Sequence, residues 1–400
     1  MNTLYNYLLE SFDDLLKLSD TEKKELIKLD KQFNDLANEY EKEHVHFANI
    51  TNINDEIDNI IQSVKDGKEI KLNLQYENSS IGDDDWCDDF IKNLNDLKLK
   101  FIDLGCYLTK FYIYRINKII EQIIFLNNYS KNKNFKHKSK NRPSKKLYKI
   151  ACKLIKKNPF VDIKDLIEKD KDYDRVIGPE ESKKRLQKII DKYNYGWKVV
   201  IDYNMVPRMS VRPYKEFRIN GNNKFSEVDL KSLEVHEIEV HVARKYNALK
   251  SGLYLMLHGL KGNNVYDEGL AIYNSLHKVE KPKPNIIFFI CLKIIILYHL
   301  QYKSINELFD IVKKLTNIDD RKIALAIIRC SRVYTYTSLG NYSYDEDYLD
   351  GYIKVKSMSE NDRKRLLELP IGPDQLHELD TIEKFLTINK FPAINPEKND

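Results

Sequence analysis

Residues 226–244 read S-E-V-D-L-K-S-L-E-V-H-E-I-E-V-H-V-A-R, and the reading of this stretch decides the fold. Ser226 followed by Asp229 three residues later is a helix N-cap signature, so a long helix is predicted from about Glu227 to Leu249. It carries His236, Glu237 and His241. A metal site needs neutral imidazoles converging on one point, and hydrolysis at zinc also needs a carboxylate beside the water. Two histidines four apart on an α-helix lie about 40° from each other. Here the spacing is five, which at about 100° per residue leaves them roughly 140° apart. A π-type turn adds one residue and returns the pair to one face, so the spacing predicts a π-distortion between His236 and His241. The plain alternative is two helix-face histidines, since nine His in the chain make chance pairs common.

Downstream, V-Y-D-E-G-L-A-I-Y-N-S (265–275) raises the metal reading. A third zinc ligand is typically a carboxylate, and Glu268 is placed to supply it from the opening of a second helix. Asp267 then reads as that helix's N-cap, and Gly269 as a point where backbone approaches the metal or the first helix. Otherwise the acidic pair is simply a helix N-terminus favoured by the macrodipole.

H-E-I-E-V-H (236–241) paired with D-E-G-L-A-I-Y (267–273) closely resembles the Q/E-E-G-L-A motif (QEGLA) zinc metallopeptidase family. That family includes bacterial modulators of flavohaemoglobin expression and the animal microtubule-associated tyrosine carboxypeptidase, which removes the C-terminal tyrosine of α-tubulin. R-C-S-R-V-Y (329–334) and Y-D-E-D-Y-L-D-G-Y (344–352) look like its R-x-x-R-G and K-D-x-x-Y-L-x-G segments. Two departures are Asp267, where the family has Gln or Glu, and Val333, where it has Gly. The resemblance covers roughly residues 150 to 390. It implies a zincin-like fold, one zinc ion (Zn2+) per chain held by His236, His241 and Glu268, and Glu237 as the general base that activates the zinc-bound water and returns the proton to the leaving amine.

Around this core, W-K-V-V-I-D-Y (197–203) and Y-K-E-F-R-I (214–219) read as strands. The fold class is therefore α+β, mostly helical, with a small antiparallel sheet packed on the histidine-bearing helix. One helix is predicted over 85–127, others near 147–158, 162–169 and 179–194. Lys131 to Lys146 holds seven Lys, one Arg and no acid. Such a run repels itself and reads as a flexible linker, or as a docking site for an acidic surface. Three regions follow: 1–128 helical, 129–146 basic linker or loop, and 147–400 catalytic domain.

Composition narrows the class. A net charge of +5 and 26 Tyr argue against wholesale disorder and against a dedicated nucleic-acid binder. Five scattered cysteines read as reduced thiols. The N-terminus lacks a secretory layout. Ile286 to Leu300 is apolar but short and interrupted by Lys293, so it reads as a core helix rather than a membrane span. The chain is expected to be cytoplasmic, with the resemblance adding association with the cytoskeleton.

A carboxypeptidase must grip a C-terminal carboxylate, which the planar fork of Arg suits. Arg212, Arg329 and Arg332 are the candidates, with Tyr334 and Tyr348 as oxyanion donors or stacking partners among other tyrosines of 334–348. His258 reads as a buried structural histidine, and His44 and His46 as structural or surface residues. Three functions compete: a zinc carboxypeptidase acting on a protein tail, with the tyrosine of an acidic tubulin-like tail first; a metallohydrolase with a non-tubulin substrate; and a non-catalytic binding or regulatory protein retaining the fold.

Overall fold

The computed structural model describes residues 16–48, 50–131, 143–162, 165, 176–205, 207–300, 302–331, 344–368 and 376–394. Helix α1, Asp20–Ala48, buries Leu26, Leu29, Phe33, Ala37 and Tyr40, a stripe stepping by three or four residues. Helix α2 is Ile53–Lys65. Helix α3, Asp84–Leu104, starts on Asp83, whose carboxylate accepts from the Asp85 and Trp86 amides. The single helix predicted over 85–127 is in fact two. Gly105 ends α3 in the left-handed region at φ 62°, which glycine adopts without steric cost. The chain resumes as α4, Thr109–Lys131, and folds back on α3. Apolar spacing continues on both sides of the turn, so periodicity alone concealed it.

Helix α5 is Lys145–Lys157, and α6 is Pro179–Lys192. Three strands follow: β1, Lys198–Asp202; β2, Met209–Val211; and β3, Glu216–Asn220. Their order is β1-β3-β2. β3 pairs antiparallel with β2, Met209 opposite Ile219, but parallel with β1, Val199 opposite Phe217. The sheet is thus mixed, where an antiparallel one was expected. The three-residue β2 is too short to show alternation, yet it takes the hairpin position beside β3. That leaves β1 the opposite edge, reached by crossover and running the same way as β3.

Helical segments Glu227–Leu233, Glu234–Val242 and Ala243–Lys250 then follow without a break and together form α7. Its start is a capping box: Ser226 accepts from the Asp229 amide while Asp229 accepts from the Ser226 amide. After a four-residue helix, Tyr254–Leu257, the longer helices are α8, Asn263–His277; α9, Ile286–His299; α10, Ile305–Leu315; α11, Asp320–Cys330; α12, Tyr344–Ser357; α13, Glu360–Glu368; and α14, Leu376–Asn389. The apolar run of the sequence is α9, buried on most sides against α5, α10 and α11. Among the described residues no helix is long and apolar enough to cross a membrane.

One apolar cluster joins Phe33 of α1, Phe101 of α3 and Tyr112 of α4 to Ile238 and Val240 of α7. A buried polar tie reinforces it. Asp30 accepts from the Tyr112 hydroxyl at 2.7 Å and from the Leu255 amide at 2.9 Å, just beyond α7. The α8 helix lies against both α7 and α12. At the α8–α12 crossing Gly269 faces Gly351, and a β-carbon on either would fall far inside contact distance of the other helix's backbone. The approach that Gly269 permits is therefore to α12, not to a metal or to α7.

Candidate metal centre

The middle segment of α7, Glu234–Val242, is π-helical. The wider turn projects residues five apart to the same side, and the rings of His236 and His241 stand 5.0 Å apart, centroid to centroid. From α8, Glu268 Oε2 reaches to 3.6 Å from His236 Nε2 and 3.8 Å from His241 Nε2. One donor atom from each of the three residues lies within 4.8 Å of the others. Glu268 Oε2 is buried with no hydrogen-bond partner.

These separations are too long for hydrogen bonds. They are close to the spacing of ligands around a tetrahedral ion with bonds of about 2.0–2.1 Å, whose neighbouring donors stand about 3.4 Å apart. A buried carboxylate oxygen left unmatched is costly, and a cation among the three donors would meet it. The residues present therefore fit a divalent metal of the zinc type.

A second layer orients the donors. His241 Nδ1 lies 2.8 Å from Asp267 Oδ2. Were a cation held by the three donors, the Nδ1 proton would stay on that bond and leave the Nε2 lone pair for the ion. Arg244, fully buried one turn beyond His241, donates from Nη1 to the other Asp267 oxygen and from Nε to the Leu366 carbonyl at 2.7 Å. Burial alone would raise Asp267, but the charges of His241 and Arg244 hold it well below the usual carboxylate range. Burial would also lower the His241 imidazole, yet Asp267, with Glu268 and Glu237 behind it, carries it up to about 9. Asp267 is thus not the N-cap the sequence suggested: α8 begins at Asn263, and Asp267 and Glu268 sit in its second turn.

Glu237 is buried, and its carboxyl is pushed up by burial, with His236 and His241 opposing and Glu268 reinforcing the shift. On α12, Asp347 is buried with Oδ2 lacking a partner. Burial, then Glu346, Glu268 and Asp350, push it up to about 8. Glu268 is thus faced by a second acid.

No other sequence candidate among the described residues belongs to this donor set. Arg212, the residue after β2, has Nη1 4.0 Å from Glu41 Oε2, toward α1. Arg329 is in the last turn of α11, within electrostatic reach of Lys283. Tyr348 lies under the Lys293 ammonium, 5.3 Å from its ring centroid. Arg332 and Tyr334 lie outside the described residues. His258 is buried at 3.0 Å from Asn34 Oδ1, and burial holds its imidazole well below the usual range; it takes no part in the donor set. Sequence reasoning passed over Asp347, Arg244 and Lys245. The signal for the last two was their step of three and four residues from His241, which returns them to its face of the helix.

Two imidazoles and a carboxylate with a further buried carboxylate alongside define a candidate divalent-metal centre equipped for proton transfer. Residues 87–388, well over half of the chain, match the family described as microtubule-associated tyrosine carboxypeptidase. The chain belongs to that family. A comparison with curated proteins gives no match.

Proposed function

We propose that the chain is a zinc-dependent carboxypeptidase of zincin-like fold that removes the last residue of a protein tail. The observation that carries this reading is the convergence of His236, His241 and the unmatched Glu268 oxygen within 4.8 Å. Family membership supports the choice of carboxypeptidase, with tyrosine at the end of a tubulin-like tail as the first candidate substrate. Cytoplasmic work at the cytoskeleton belongs to the same reading.

His236, His241 and Glu268 would hold the metal. Zinc, when bound, supplies Lewis acidity toward a carbonyl and acidifies water at the site. Glu237 follows the first ligand directly, and its buried carboxylate would take a proton from water and later give it to the leaving amine. Burial raises its proton affinity above that of an ordinary carboxylate, the direction a proton acceptor needs. Asp267, fixed by Arg244, would keep His241 in the tautomer that leaves Nε2 free.

The test is release of a C-terminal residue from a tyrosine-ended acidic peptide, followed by mass spectrometry. Wild-type protein loaded with zinc should release one residue. Glu237→Gln keeps the volume but not the base, and should slow release about 10²- to 10⁴-fold. Undiminished release by that variant would remove Glu237 from the mechanism. No release by the wild type on any C-terminal sequence would favour a binding role.

A further inference from the structure

Most of the basic run read from the sequence lies outside the described residues, but its last two lysines, Lys145 and Lys146, open α5. This helix carries Lys145, Lys146, Lys149, Lys153, Lys156 and Lys157, and no acid. All six lysines are exposed. At about 100° per residue they fall within an arc of about 120° and form a stripe about 18 Å long. The opposite face is apolar: Leu147, Ala151 and Ile155 are buried in the cluster that holds Ile294 and Ile295 of α9. Ser144 caps the helix by accepting from the Leu147 amide, and Tyr148 stacks on Tyr298 with ring centroids 4.1 Å apart. The stripe is thus carried by an element fixed to the core.

Elsewhere, exposed helix faces mix their charges. Arg185 pairs with Glu181 on α6, Lys354 with Asp350 on α12, and Lys364 with Glu360 on α13, each at a spacing of four. On α5 the same spacing sets Lys145 against Lys149, Lys149 against Lys153 and Lys153 against Lys157. Like charges four apart destabilise a helix. Lys145 and Lys146 also stand in the first turn, where the macrodipole disfavours cations. Among the described residues none of the six forms an ion pair or a side-chain hydrogen bond. A stripe kept against the stability of its own helix points to something outside the chain that answers its charge.

We propose that the lysine stripe of α5 is a docking surface for an extended, Glu- or Asp-rich segment of a partner protein. Charge complementarity selects an anionic partner, and spacing selects its form. Lysines four apart stand about 6 Å from one another along the helix. Alternate side chains of an extended peptide recur on one side about every 6.6–6.8 Å. One acid in every two residues can therefore meet one lysine per turn, over a footprint of about five or six residues. Nucleic acid fits less well: the stripe has no arginine for bidentate contacts and no exposed aromatic on which a base could stack. A membrane fits less well too, because the apolar face that a surface helix would bury in lipid is already packed on α9. None of the six lysines belongs to the donor set of the candidate metal centre, so the surface goes beyond the carboxypeptidase reading and holds a partner whether or not that partner is cut.

The experiment reads binding by fluorescence anisotropy with the full-length wild-type chain. The probe is a labelled peptide of about eight alternating Glu and Ser residues, slightly longer than the footprint. Its C-terminus is amidated, so no terminal carboxylate contributes, and a Gln/Ser peptide is the neutral control. The stripe predicts binding of the acidic peptide alone, weakened by added salt. Lys149→Gln with Lys153→Gln should weaken it about 2- to 30-fold, the worth of two exposed ion pairs. Lys184→Gln with Lys188→Gln removes the same charge from an exposed face of α6 and should leave the affinity unchanged. The α5 variant loses like-charge repulsion, so its Tm should be no lower than that of the parent. Should it fail to fold, Lys145→Gln with Lys157→Gln at the ends of the stripe gives the same reading.

No binding by the wild type, equal loss in the α5 and α6 variants, or unchanged affinity in both α5 pairs overturns the docking surface. Tighter binding of a single-stranded oligonucleotide or of phosphatidylserine vesicles, with the same dependence on the α5 lysines, overturns the choice of partner. Nothing is cut in this assay, so failure of the carboxypeptidase reading leaves its result standing. Release of a C-terminal residue together with binding that ignores the α5 lysines would remove the docking surface and leave the enzyme.

Discussion

At the scale of single residues, Asp267 illustrates how chemistry hides behind a local signal. An acid near the start of a predicted helix reads as a cap, and H-E-x-x-x-H with a later Glu reads as a metal set. The second reading depends on residue type and spacing, which a sequence carries. The role of Asp267 depends on which helix lies opposite, which it does not. Only with α8 against α7 does its carboxylate meet His241 Nδ1 at 2.8 Å and the Arg244 guanidinium. If Asp267 orients His241, Asp267→Asn should weaken zinc affinity about 10- to 100-fold while all three ligands remain. Competition with a chromogenic chelator measures this, and an unchanged affinity would leave Asp267 only its structural pairing with Arg244. The arginines proposed from sequence for carboxylate recognition carry no such spacing signal, because an Arg is useful almost anywhere on a surface. Arg212 faces Glu41 and Arg329 lies near Lys283.

At the scale of elements, legibility followed how much of an element's cause is local. The capping box at Ser226 and Asp229 is local, and so is the mismatch between a five-residue histidine spacing and the 3.6-residue turn, which a π segment resolves. The strand directions are not local. β1 and β3 were recognisable from their β-branched and aromatic content, but their parallel pairing depends on where the short β2 docks. The turn at Gly105 was signalled by a single glycine inside continuous apolar periodicity. Gly269 and Gly351 belong here too, since each matters only through the other. Gly351→Ala would press a methyl into the Val265 carbonyl of α8, the helix that carries Glu268. Overpacking of this kind costs about 1–3 kcal/mol, more where backbone must yield. Urea denaturation should show a loss of at least that size. A variant as stable as the parent would mean that the crossing is not tight.

At the scale of the whole molecule, the candidate centre depends on residues far from it in sequence. The cluster that holds Ile238 and Val240 is completed by Leu26, Leu29 and Phe33 of α1, outside the span shared with the family. Fully burying a Leu or Phe side chain is worth about 1.5–3 kcal/mol, so these three and their neighbours amount to a large part of the 5–15 kcal/mol typical of a domain. A chain trimmed to residues 87–388 should therefore lose its cooperative thermal transition; a sharp transition at the full-length temperature would show that α1 is dispensable to the core. That a basic stretch separates the first helices from the rest in sequence tells nothing of this packing, because contact between distant segments leaves no trace in composition.

The most direct measurement is metal content by mass spectrometry of the purified wild-type chain beside a His236→Ala, His241→Ala variant. The reading of His236, His241 and Glu268 as a zinc site predicts close to one equivalent of zinc in the wild type and loss of it in the double variant. Absence of metal from the wild type after reconstitution with zinc, or equal metal in both proteins, would contradict it.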